Sequence, residues 1–128
     1  MIENDKLHLL YLKKYCLKIL AYMNNLDNSY ENFLNNEMIQ DSISFCLLQI
    51  GEISKSLSEQ FIKECNNISF KEIIGMRNII VHAYDKVDYK IVWTTCQKDI
   101  NTLLEFINLK LINVNENYHE LDINKIIK

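Results

Sequence analysis

Residues 39–57 read IQDSISFCLLQIGEISKSL, and their apolar positions decide the fold. Ile39, Ile43, Cys46, Ile50, Ile53 and Leu57 succeed one another at spacings of 4, 3, 4, 3 and 4. At 3.6 residues per turn these positions share one stripe of a helix, whereas a strand would alternate every second residue. Gly51 sits inside the stretch at a cost of about 1 kcal/mol relative to alanine, so a close approach by a neighbouring helix is expected there.

The same period extends in both directions. Leu9, Leu12, Cys16, Ile19 and Met23 predict a helix from about Asp5 to Met23. Asn24 to Asn36, rich in Asn and Asp, reads as a connector tucked onto the core by Tyr30, Phe33 and Leu34 through a short helical turn. Asn66 and Asn67 break the pattern. Ser69 then precedes Glu72 by three residues, the spacing of a capping box. A third helix runs from there through Ile73, Ile74, Ile80 and Val81 towards Tyr84. Asp85 to Asp88 forms a turn with Asp88 as N-cap. The fourth helix carries Val92, Trp93, Cys96, Ile100, Leu103, Ile107 and Leu111. The expectation is an all-α antiparallel bundle of four main helices over residues 1–113, with a polar tail, 114–128, that ends in Ile123, Ile126 and Ile127.

Composition agrees. A chain of 128 residues suits one domain, and no proline with only two glycines leaves too little turn punctuation for many short strands. A net charge of −3 argues against a nonspecific coat on nucleic acid, so any such contact must be local. Cys16, Cys46, Cys65 and Cys96 are widely spaced and lie apart from any histidine cluster. That spacing predicts reduced thiols in a cytoplasmic protein and no metal site. The start lacks the basic and apolar regions of a secretory signal, and no apolar run is long enough for a membrane span.

Reactive side chains gather in residues 75–85, GMRNIIVHAYD. Arg77 is the one arginine among fourteen basic residues, which points to a need for a planar, permanently charged fork, as for phosphate. On a helix Arg77 and Tyr84 lie about 20° apart, and Asn78 and His82 form an adjacent line. Arg77 and His82 diverge by about 140°, so one straight helix cannot close both on a single phosphate. Either the helix bends near His82 or a second copy of the chain supplies the partner residue, and the homodimer is the favoured arrangement. Two histidines and two arginines around one cleft suit RNA cleavage: one imidazole deprotonates the 2′-hydroxyl, another protonates the leaving 5′-oxygen, and arginine stabilises the phosphorane. No cofactor or metal is needed. The commonplace roles, a core histidine and a surface arginine, stand beside this one.

Arg77-Asn-Ile-Ile-Val-His82-Ala-Tyr84 resembles the R-x4-H-x-Y motif of HEPN-domain proteins of the HepT toxin type. Gln49-Ile-Gly-Glu52-Ile is similar to that family's Ile-Gly-Glu element. Ile73-Ile-Gly-Met-Arg-Asn resembles the lead-in to its motif, and the stretch from Val87-Asp88 to Trp93 is similar to the segment on the motif's C-terminal side. The resemblance spans roughly Leu7 to Leu111. It implies a metal-independent ribonuclease toxin with Arg77 and His82 as catalytic pair at a homodimer interface and Asn78 in support. It further implies that Tyr84 is the tyrosine modified with AMP by an MNT-type nucleotidyltransferase antitoxin. A non-catalytic HEPN module that binds such a partner is the second reading, and a purely structural, monomeric bundle the third.

Other residues have plainer readings. Glu52 could line the cleft and tune His82, or act as a solvated or capping carboxylate. His8 and His119 are expected at the surface. Lys13, Lys14 and Lys18 read as a solvated face that could assist RNA, while Trp93 and the tyrosines are spaced as core or interface residues, with nothing in the sequence to suggest a base-stacking platform.

Overall fold

The computed structural model describes residues 3–65, 68–83 and 87–112. Among these residues six helices account for the regular structure: α1 (Glu3–Asn25), α2 (Tyr30–Leu34), α3 (Glu37–Lys55), α4 (Glu59–Glu64), α5 (Phe70–Ala83) and α6 (Tyr89–Ile112). No strand occurs among the described residues. The long helices α1, α3, α5 and α6 are the four expected from the apolar spacing, and α2 is the expected helical turn of the connector. The tail, with His119, lies outside the described residues.

Helix starts are set by side-chain chemistry. Ser29 Oγ, Asn36 Oδ1, Ser58 Oγ and Ser69 Oγ accept from the amides of Asn32, Ile39, Phe61 and Glu72, while Asp88 Oδ1 accepts from Lys90 N at 2.9 Å. Each bond satisfies an amide that the helix itself leaves without a carbonyl. Asp27 and Asn28 turn the chain after α1 in the left-handed region, with φ of 54° and 53°, which Asp and Asn tolerate better than most residues.

One expectation needs correction. The spacing carries the α3 stripe through Leu57, but the helix ends at Lys55, with the Ser56 amide closing back onto Ile53 O and Ser54 O. Leu57 is still buried, because the chain turns and restarts as α4 on the Ser58 cap. Phe61 and Cys65, each four residues beyond the last, continue the burial. A six-residue helix carries too few periodic positions to be told from a turn, so only the Ser58 cap and the Leu57-Phe61-Cys65 spacing mark it.

Tertiary contacts fix the direction of each helix. Asp5, near the start of α1, is buried and accepts from Ser58 N at 3.0 Å and Ser58 Oγ at 2.6 Å, so α1 begins where α3 has just ended. Trp93, near the start of α6, stacks on Phe33 of α2 with ring centroids 5.2 Å apart. Lys110, near its end, bridges Glu64 of α4 at 3.2 Å. Hence α3 and α6 run opposite to α1. α3 packs on both α1 and α5, and α1 also packs on α6. The core lies between α1, α3 and α6, where Leu9, Leu12, Cys16, Ile19, Ile43, Ile50, Ile100 and Ile107 are almost wholly excluded from water.

Candidate active site

α5 carries the reactive residues, and a glycine on α3 decides how it sits. A Cβ built on Gly51 would fall inside contact distance of Arg77 Cβ and 2.9 Å from Arg77 Cγ, with Ile73 O at 3.6 Å. The arginine stem therefore lies directly on the α3 backbone. No side chain larger than hydrogen fits beneath it, which is the close approach expected of this glycine.

The next residue on α3 completes the seat. Glu52 Oε1 forms an ion pair with Arg77 Nε, and Arg77 Nη1 donates to Asn78 Oδ1 at 2.6 Å. The arginine side chain is 23% exposed and the glutamate 45%, so the pair is partly solvated and its net stabilisation is modest, on the order of 1 kcal/mol or less. Its stronger consequence is orientation. A guanidinium has five donors; one hydrogen of Nη1 goes to Asn78, while the buried Nε faces the Glu52 carboxylate as an ion pair without a hydrogen bond. The fork is thereby fixed at the α3–α5 crossing, at the edge of solvent.

Of the residues predicted from sequence, Arg77 and Asn78 are brought together, and Glu52 joins them. Glu52, read from sequence either as lining the cleft and tuning His82 or as a solvated or capping carboxylate, pairs with Arg77. His82 belongs to α5, five residues beyond Arg77; its side chain is outside the described set, and Tyr84 lies outside the described residues. His8, expected at the surface, is half-buried on α1 with its Nδ1 covered. The role of Gly51 as the seat of Arg77 was legible only as a helix-interior glycine; what it accommodates needed the fold.

On the side of α5 facing α6 lies a cleft of about 280 Å³ whose wall includes Met76, Ile73, Glu72 and Asp99. Its two carboxylates repel phosphate, so it does not share the character of the Arg77 crossing. The thiols offer no nucleophile either. Burial pushes Cys16 and Cys96 up to about 12 and Cys46 and Cys65 up to about 11, leaving them protonated near neutrality. Among the described residues no group of three or more His, Cys, Asp or Glu side chains could hold a metal ion, and no helix is long and apolar enough to cross a membrane.

Comparison with known proteins bears on the same helices. Residues 12–109, from α1 through α6, match the family model described as HepT-like, "Ribonuclease HepT-like". The chain is 36% identical over 94 residues to "Putative RNase MJ0125" of Methanocaldococcus jannaschii, covering 70% of this chain and 81% of that protein. It is equally similar, 36% over 94 residues, to "Putative RNase MJ1216" of the same organism, covering 70% and 78%. To "Probable ribonuclease HepT" of Thermococcus cleftensis it is 34% identical over 74 residues, covering 58% and 67%. No solved structure matches.

Proposed function

This chain belongs to the HepT-like ribonuclease family, and from that premise we propose that it is an endoribonuclease that cleaves RNA without a metal ion. In this reading it acts as a homodimer and is the toxin of a toxin–antitoxin pair. The observation that carries the proposal is the fixed Arg77 fork, seated on Gly51 and held by Glu52 and Asn78 on the helix that also bears His82.

The chemistry rests on the groups and their divergence. Arg77 and His82 are five positions apart on one helix, a helical separation of about 140°, so in this reading each protomer's arginine works with a histidine of the second copy. One His82 imidazole accepts the proton of a 2′-hydroxyl as its oxygen bonds to phosphorus. The P–O5′ bond breaks, and the 5′-oxygen takes a proton from the other His82 imidazolium, leaving a cyclic phosphate and a 5′-hydroxyl. The Arg77 forks face the phosphorane oxygens as charge builds on them. Asn78, bonded to Nη1, is a positioning residue for that fork. Tyr84, seven residues beyond Arg77 in the sequence, is the acceptor of AMP from a nucleotidyltransferase antitoxin of the MNT type. The adduct places bulk and negative charge beside the guanidinium and repels RNA.

The Arg77–Glu52 pair also supports a second reading, a non-catalytic module that binds and regulates the nucleotidyltransferase, because a guanidinium already paired can serve structure alone. RNA incubated with the protein in excess chelator separates the two. Cleavage is expected to persist, and to fall by a factor of roughly 10² to 10⁴ in His82→Ala and Arg77→Ala. Equal behaviour of all three proteins removes the enzyme. For the switch, the wild type co-expressed with the nucleotidyltransferase should gain the mass of AMP and Tyr84→Phe should not; an unchanged wild-type mass removes it.

A further inference from the structure

Away from the Arg77 crossing, the outer face of α1 interleaves aromatic and basic side chains. Tyr11, Lys14, Tyr15 and Lys18 recur at spacings of three and one, a single stripe opposite the buried Leu9, Leu12, Cys16 and Ile19. Lys14 Nζ stands 5.1 Å from the Tyr15 ring centroid and 6.0 Å from that of Tyr11, and Lys18 Nζ stands 5.9 Å from Tyr15. Phe45 of α3 meets Tyr15 edge-on, with centroids 6.3 Å apart, yet is 53% exposed, and Tyr11 is 41% exposed. Two large rings are thus held open to water beside two ammonium groups, on a chain whose net charge is negative.

This surface is continuous with the Arg77 crossing. Phe45 and Glu52 are seven residues apart on α3, hence on one line and about 10 Å apart along the axis. The antiparallel register of α1 on α3, with Tyr15 at Phe45 and Asp5 at Ser58, sets Tyr11 level with about Ile50–Gly51, at the height of the Arg77 seat along the helix axes. We propose that the outer face of α1 and α3 is a binding track for single-stranded RNA. Tyr11 and Phe45 stack bases there, Lys14 and Lys18 hold phosphates, and the strand is led to the Arg77 fork. Stacking on rings with lysines along the backbone is the general solution for unpaired strands, and it is indifferent to sequence because every base has a π-face. A duplex, with its bases enclosed, gains nothing from exposed rings. The track rests on the ribonuclease reading for its purpose, but its binding is separable from cleavage.

The test uses the full-length chain and a fluorescent, 2′-O-methylated single strand of roughly a dozen nucleotides, which cannot be cleaved by 2′-oxygen attack. Phe45→Ala is expected to weaken binding about tenfold, and Phe45→Tyr to restore it. The Lys14→Gln/Lys18→Gln pair should weaken binding and reduce the slope of log affinity against log salt by about 1.4. With cleavable RNA these variants should raise KM and leave kcat unchanged. If the wild type cleaves RNA but Phe45→Ala and the lysine pair bind like it, the track is wrong and the ribonuclease reading stands. If binding drops as expected but the wild type shows no cleavage in chelator, the ribonuclease reading fails and the track stands. A wild type that does not bind the strand overturns the track. So does a change in light-scattering mass on Phe45→Ala, which would assign this face to a second copy.

Discussion

α6 and α5 are both isoleucine-rich helices of one bundle, yet they are anchored in different ways. On α6 every position of the predicted stripe, from Val92 and Trp93 to Leu111, is buried. Among the described side chains of α5 only Phe70 and Ile80 reach that state, while Ile73, Ile74 and Met76 are half-buried and a cleft lies between the helix and α6. α5 is held chiefly by α3, through the Gly51 crossing and the Arg77–Glu52 pair. A helix that spends its faces on a guanidinium seat and an open cleft has less apolar area left for the core. The described buried side chains therefore concentrate in α1, α3 and α6, and the chemistry sits on a helix whose described apolar side chains are mostly half-buried.

The largest test of that contrast is a pair of truncations. Trp93→Ala removes a buried indole packed on Phe33 and Tyr30 and should cost about 3–5 kcal/mol, read from the urea midpoint. Ile74→Ala, at a half-buried position of α5, should cost about 1 kcal/mol or less. Equal losses would place α5 in the core and dissolve the distinction.

The cysteines draw the same line. Cys16, Cys46 and Cys96 lie one each on α1, α3 and α6 and act on one another electrostatically, and α5 has none. Burial lifts Cys16 and Cys96 from an ordinary value of 9 to about 12 in the folded chain. A raised folded value means that the native state holds its protons longer than the unfolded state does. The stabilisation is complete below pH 9 and is lost as pH rises towards 12. In that window each of these two thiols removes up to about 1.4 kcal/mol per pH unit. Denaturation monitored through the alkaline range should show this fall, and Cys96→Ala should flatten part of it. An identical alkaline slope in the variant would mean that the thiol is not deeply buried.

The same contrast explains how much the residues disclosed ahead of the fold. Spacing announces helices whose stripe is full, so α1, α3 and α6 were readable almost residue by residue. The Ser69 cap located α5, but its sparse stripe said little about what it packs on. Arg77 stood out as a residue type, whereas its partner did not. Glu52 is one of seventeen acidic residues, and its pairing arises from a crossing that only Gly51 permits. The α1 aromatic–lysine stripe had helical spacing too, but with Phe45 supplied from another helix its exposure became visible only in three dimensions.

The finest test lies between the two glycines, which share a residue type and differ in their surroundings. At Gly51 a methyl group collides with the Cβ of Arg77, next to backbone and unable to swing away, so α5 must shift. Gly51→Ala should then cost about 1–3 kcal/mol and reduce RNA cleavage as the guanidinium moves. At Gly75 no described atom of the chain lies within 4 Å of such a methyl, and φ is not positive. Gly75→Ala removes only the helix penalty of glycine and should stabilise the protein by up to about 1 kcal/mol in the same urea titration. If Gly75→Ala destabilises instead, something other than the described residues covers that line of α5. Gly75 and His82 are seven residues apart on that helix, so a loss there, together with a fall in light-scattering mass, would place a second copy of the chain against that line of α5.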